Sequence, residues 1–241
     1  LVVGGWEGRL SNSGETLELA DAQGQVVQSI RYADEGDWAV REPGPIDYGH
    51  RGLVWSSPAD GGGASIELVN PAIDNSWGQN WLASAILGGT PGRVNSVHST
   101  NTPPFIQEVR HFPAVPKSTQ TISITALVID ESADPVTVRL HYRGDGRPDF
   151  SSMEMLDDGH HGDGSAGDHR WGALLTAQPH GTIVEFFVEA ADATGLIRTW
   201  PAPVNVDGQG VQRANALCQV DDEIYRGRLP LYRLILTAAD Q

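Results

Sequence analysis

Short stretches in which apolar and polar residues alternate are the feature that most constrains the fold of this chain. Val136, Val138, Leu140 and Tyr142 are apolar, while the residues between them are polar. A period of two is typical of a β-strand with one face in a core and the other in water. Similar stretches lie at residues 105–112, 122–128, 151–156, 170–177, 183–190 and 195–200. Gly, Pro and Asp separate them, so we predict an all-β chain.

Seven short strands within about 100 residues indicate an immunoglobulin-like or fibronectin-III-like β-sandwich at residues 103–206. The Cys…Trp…Cys signature of antibody domains is absent from the sequence. A polar, proline-stiffened linker at residues 99–104 precedes this module. We therefore expect two tandem β-sandwich modules joined by that linker.

Residues 1–100 are also predicted to be β, in a more irregular pattern. Alternation marks strands near Leu17–Leu19 and Val26–Tyr32, and a third at residues 65–69. We expect a long Pro- and Trp-containing loop between the second and third of these strands. Residues 207–241 are expected to be a linker followed by one strand, because residues 229–237 form a nearly continuous apolar run.

Charge and composition exclude several classes of function. The chain has 16 Lys and Arg against 31 Asp and Glu, a formal net charge of −15, so its surface should repel a phosphate backbone. No apolar run reaches the length of about 18 residues that a membrane-spanning helix needs. The lone cysteine, Cys218, rules out an internal disulfide framework and is interpreted as structural. Neither a phosphate-binding loop nor a Gly-x-Ser-x-Gly nucleophile elbow is present.

Three resemblances are suggested by the order and spacing of short motifs. Across about residues 5–97, several segments resemble the second half of a bacterial lamin-tail domain; they are residues 8–15, 17–21, 24–27, 65–68, 80–84 and 88–96 with Tyr32 and Trp38. The family's opening strands are missing, which implies that this module is N-terminally truncated. Residues 157–168 resemble a loop repeated in Ig-like modules of large secreted bacterial proteins. Residues 230–237 look like the start of a CotH-type kinase-like domain.

This resemblance implies a non-catalytic targeting or spacer region that presents a following CotH-like domain in the same chain. It also implies a secreted, cell-surface or periplasmic setting, with an extracellular protein or glycan as partner. Two alternatives stay open. The modules could help a CotH-type protein kinase to hold its substrate, or they could form a calcium-dependent adhesion or carbohydrate-binding module.

The strongest polar cluster in the sequence lies at residues 157–169. Asp157, Asp158, Asp163 and Asp168 fall within it, and its glycines would allow backbone carbonyls to turn inward, so it is a candidate Ca²⁺ site. The spacing departs from that of an EF-hand. Alternatively, the aspartates cap turns through backbone amides, or the imidazoles of the same segment bind a transition metal; these are His160, His161 and His169.

Tryptophans are concentrated in the first module, at positions 6, 38, 55, 77 and 81. Aromatic side chains on loops can stack on sugars or grip partners. We expect Trp55 and Trp77 to lie on loops and to be the ligand-binding candidates. Trp38 and Trp81 coincide with positions of the lamin-tail pattern and are expected in the core. Residues 1–100 contain no Phe, so Trp side chains would fill that core.

Overall fold

The computed structural model describes residues 9–238, and Trp6 lies outside them. The described chain is all-β, as predicted, with two single-turn 3₁₀ helices at Gly36–Trp38 and Gly78–Asn80. It divides into two compact units. The described part of unit 1 runs through Thr102 and takes in Ala202–Gln212. Within the described residues, unit 2 comprises Pro103–Pro201 and residues 213–238.

Unit 1 contains eight of the described strands in three small sheets. The strands are β1 (Glu15–Ala20), β2 (Val26–Tyr32), β3 (Val40–Asp47), β4 (His50–Ser56), β5 (Ile66–Leu68), β6 (Trp81–Ala83), β14 (Val204–Val206) and β15 (Gln209–Val211). Two of the sheets are antiparallel two-stranded ribbons, β1–β2 and β5–β6. The third has the order β15-β14-β3-β4.

Strands β3 and β4 occupy the segment that was expected to be a long loop. That expectation is wrong because the strands accommodate the prolines of this segment. The β3–β4 ladder changes register between Pro43 and Ile46, and strands tolerate proline at such irregularities. The hairpin turn is formed by Tyr48 and Gly49, both with positive φ, which is the geometry that a tight two-residue turn requires.

The expected linker after residue 206 also differs from the structure. Asp207 and Gly208 both have positive φ and join β14 to β15 in a tight hairpin. Val204 and Val206 precede this Asp-Gly pair and Val211 follows it, which is a hairpin signal. The polar residues of the segment favoured the linker interpretation instead. The expected strand at residues 229–237 is not observed, and most of that segment is exposed.

Unit 2 is formed by two sheets that enclose one apolar core. Its strands are β7 (Phe105–Phe112), β8 (Ile122–Ile129), β9 (Thr137–Gly144), β10 (Ser151–Glu154), β11 (Arg170–Leu175), β12 (Ile183–Ala191), β13 (Ile197–Trp200) and β16 (Ala216–Gln219). One sheet has the order β11-β8-β7, and the other the order β10-β9-β12-β13 with β16 also on β12. All seven strands predicted for this module are present.

The core of unit 2 follows from the alternation in its strands. Inward residues of both sheets are fully buried, among them Ile124 from β8, Leu140 from β9 and Phe186 from β12. Cys218 of β16 belongs to the same core, and burial raises the pKa of its thiol to about 11. The thiol is therefore protonated and shielded at neutral pH, in agreement with a structural role.

Unit 1 has a much smaller apolar core. Among its described residues only Val69 and Val204 are buried large hydrophobics, whereas Glu67, Asn70 and Asn80 are buried and polar. The carboxylate of Glu67 accepts hydrogen bonds from the hydroxyls of Thr90 and Ser96 and from the Ser96 amide. The Thr90 hydroxyl is the main cause of the lowered pKa of Glu67, so the buried carboxylate is held in its charged form.

Candidate functional sites

The acidic loop of unit 2 connects β10 to β11 and lies against the sheet. Gly172 of β11 allows this close approach, because a Cβ at that position would lie 2.6 Å from the carbonyl oxygen of His161. It would also lie 3.0 Å from the Cβ of Asp163. A small residue in the strand thus positions the loop.

Asp163 lies at the centre of this loop and is fully buried, with 0% of its surface exposed. Its Oδ2 accepts hydrogen bonds from the amides of Asp158 and Gly159, both at 2.8 Å. Its Oδ1 accepts a third from the amide of His161 at 2.7 Å. Burial disfavours the charged carboxylate, but these amides outweigh that effect and leave the pKa of Asp163 below its usual value.

Asp157 and Asp168 bind the second half of the same loop. The Asp157 carboxylate accepts hydrogen bonds from the amides of Gly167, Asp168 and His169, at 2.8, 3.3 and 2.9 Å. The Asp168 carboxylate accepts from the amides of Ser165 and Arg170, both at 3.0 Å. The Ser165 amide is the main cause of the lowered pKa of Asp168.

Asp158 is the one member of the predicted set that contacts an imidazole closely. Its Oδ1 lies 2.8 Å from Nδ1 of His161 and also accepts a hydrogen bond from the His160 amide. The contact with His161 is the main cause of the lowered pKa of Asp158. Asp158, His161 and Asp163 each offer one ligand atom within 4.8 Å of the others.

The arrangement of donors decides how well the loop fits a hard cation. Ca²⁺ takes six to eight oxygen ligands, whereas here most carboxylate oxygens of the four aspartates point at backbone amides of the loop itself. The three-atom cluster includes a ring nitrogen, which hard cations disfavour. These observations favour the turn-capping interpretation, in which amide dipoles offset the crowded negative charge.

The two tryptophans predicted to bind a ligand lie on different elements of unit 1. Trp55 is in β4 rather than on the expected loop, and it is directly opposite Arg41 of β3, whose guanidinium lies 5.4 Å from the indole centroid. Trp77 is half-buried at the start of the second 3₁₀ helix. Neither Trp55 nor Trp77 lines the main cleft of unit 1.

An open cleft of about 450 Å³ lies instead beside Trp38 and Trp81 in unit 1. Their rings stack with centroids 5.8 Å apart and planes inclined by 27°. Gly78 permits the packing around Trp38, because a Cβ there would lie 2.8 Å from two indole atoms. Both tryptophans were expected in the core, and in the structure both are half-buried.

The walls of this cleft come from the apolar faces of both ribbons. Leu17 of β1 and Ile30 of β2 are directly paired and line it, and Ile66 of β5 lines it as well. Among the described residues, its charged lining consists of two carboxylates, Asp34 and Asp60, without any Lys, Arg or His. The cleft therefore combines an apolar floor with a negative rim.

Comparison with known proteins assigns no family: no family model matches the chain, and no curated protein is significantly similar to it. Among residues 9–238, no helix is long and apolar enough to cross a membrane.

Proposed function

We propose that this chain is a non-catalytic β-sandwich spacer and targeting region of a secreted bacterial protein, and that unit 2 presents a following domain of CotH type. The observation that carries the proposal is the segment that follows β16, the last strand of unit 2. Residues 221–223 are clamped to the sandwich, and the apolar segment that follows is left uncovered.

The clamp is formed by several hydrogen bonds within unit 2. The ammonium of Lys117 donates to the carbonyl oxygens of Asp221 and Glu223, at 2.7 and 2.8 Å. The amide and hydroxyl of Ser118 both donate to the Asp222 carboxylate at 2.7 Å. These bonds hold residues 221–223 in a fixed position on the sandwich, which suits a spacer that presents the next domain.

The segment after the clamp is apolar and basic. Tyr232 and Leu234 are 90% and 83% exposed. Two contacts hold this segment on unit 2. The Arg233 guanidinium lies 2.5 Å from the Asp221 carboxylate, and the Ala238 amide donates to the Asp145 carboxylate. Large apolar side chains are stabilised by about 25 cal/mol for each Å² removed from water. Exposed apolar side chains on a pinned segment therefore suit burial by a following domain.

Trypsin tests this proposal through two exposed arginines of the segment, Arg226 and Arg228. We expect fast cleavage in this chain and strong protection in a longer chain that carries the proposed CotH-type domain after Gln241. The variant Arg226→Gln/Arg228→Gln is the control, because it removes these two cleavage points. Equal cleavage rates in the short and long chains would overturn the proposal.

The accessory-kinase alternative is separated by an assay of ATP-dependent phosphorylation on the same two proteins. We expect no ATP hydrolysis by the 241-residue chain above a heat-inactivated control. Measurable turnover by this chain alone would contradict its proposed non-catalytic role.

A further inference from the structure

We infer that the cleft of unit 1 is a docking site for a peptide segment that carries alternating apolar and cationic side chains. This goes beyond the proposed function, since it names a partner chemistry for a surface that the spacer role does not use. The inference rests on two features that lie side by side: an apolar floor between the two ribbons, and the carboxylates of Asp34 and Asp60 at the rim.

The floor of the cleft offers mainly apolar contact. The Tyr32 hydroxyl donates to the Ser11 carbonyl at 2.6 Å, and the Trp81 indole nitrogen donates to the Asn75 carbonyl at 2.8 Å. These aromatic donors are therefore already engaged within unit 1. A sugar needs many hydrogen bonds in addition to a stacking face, whereas a leucine or tyrosine side chain needs only the apolar area.

The rim determines the charge of the partner. Asp34 and Asp60 are exposed, and neither has an ion-pair partner within residues 9–238. The surrounding sequence is acidic as well, with 12 Asp and Glu against 5 Lys and Arg in residues 1–102. A field of one sign attracts ligands of the other and repels its own. Acidic partners and bare apolar ones are therefore less favoured than cationic ones.

The form of the partner follows from the ribbons. The β1–β2 ribbon has no third strand among the described residues, so an extended segment can pair with its outer edge. Side chains of an extended peptide alternate between two faces. Apolar residues would enter the cleft, while the intervening Arg or Lys residues would reach the rim.

The test is calorimetric titration of the full chain with a synthetic peptide, acetyl-Arg-Leu-Arg-Tyr-Arg-Leu-Arg-amide, and with the same peptide carrying Glu in place of Arg. We expect saturable binding of the Arg peptide, weakened by added salt because the rim is exposed. The Glu peptide should not bind.

Two pairs of variants locate the binding. Leu17→Lys places a charge in the cleft and should weaken binding by about tenfold or more. Leu19→Lys is its matched control: Leu19 lies on the same strand, is 60% exposed against 42% for Leu17, and does not line the cleft. Its affinity should equal that of the unaltered chain.

The rim is tested with Asp34→Asn/Asp60→Asn, which should weaken binding about fivefold and flatten its salt dependence. The control Glu18→Gln/Asp47→Asn makes the same charge change outside the lining and should bind as the unaltered chain does. Unchanged melting temperatures verify that all variants are folded.

Three results would overturn the inference. The first is no saturable binding of the Arg peptide. The second is equal loss of affinity in Leu17→Lys and Leu19→Lys. The third is tighter binding of the Glu peptide, or of a soluble cello- or chito-oligosaccharide, that Leu17→Lys abolishes.

Discussion

Replacing Asp163 with Asn should destabilise unit 2 strongly, although the two side chains have nearly the same size. The fully buried carboxylate accepts three amide hydrogen bonds, two at Oδ2 and one at Oδ1. An asparagine has only one acceptor oxygen. In its better orientation that oxygen would face the amides of Asp158 and Gly159, and its NH₂ group would face the His161 amide.

The magnitude follows from this change in partners. One amide left without an acceptor costs about 1–3 kcal/mol. The other two bonds become neutral rather than charge-assisted, which roughly halves each and costs about 1 kcal/mol apiece. The substitution also removes a buried negative charge beside Asp158 and Asp168, which recovers part of the lost stability. Burial opposes the ionisation of Asp163, so the loss of its charge relieves that cost as well. We expect a net loss of about 3 kcal/mol.

Urea unfolding followed by circular dichroism measures this loss. The matched control is Asp134→Asn, an exposed aspartate in another loop of unit 2, which should change the free energy of unfolding by less than about 0.5 kcal/mol. The acidic loop should also become more susceptible to proteolysis in Asp163→Asn alone. If both variants lose the same stability, Asp163 does not organise the loop and the turn-capping interpretation fails.

Further expectations concern acid, calcium and the buried thiol. The pKa values of Asp158, Asp163 and Asp168 are lowered in the folded state. Their ionised carboxylates therefore stabilise the fold fully above the unfolded pKa of about 4, and this stabilisation is lost as pH falls through the lower folded pKa values. A folded state that becomes more stable between about pH 4 and pH 2 would contradict this. Millimolar Ca²⁺ should leave the melting temperature of unit 2 equal to that in chelator, because the loop carboxylates are already bonded to amides; a clear rise would support a calcium site instead. Cys218 should react with a thiol reagent at pH 8 only on unfolding, since burial raises its pKa to about 11; rapid labelling of the folded chain would refute that.

The strands of unit 2 could be predicted because each has one buried face, and that face requires a strict alternation of apolar and polar residues. Phe105–Phe112, Ile122–Ile129 and Ile183–Ala191 all coincide with predicted stretches to within one residue or so. The hairpin of β3 and β4 was missed for the opposite reason. Its side chains are largely exposed, and its prolines lie at an irregularity that only the pairing partner reveals.

The sequence alone determined that this chain is all-β and acidic, and where the strands of its larger core lie, because burial leaves a periodic trace along the chain. It also identified the aspartates of residues 157–168 as a unit, because they are neighbours in sequence. Only the tertiary structure decided that their carboxylates bond to amides, and that the cleft lies beside Trp38 and Trp81 rather than Trp55 and Trp77. These are questions of which distant groups meet, and the direction of a side chain depends on sheet pairing that local sequence does not encode.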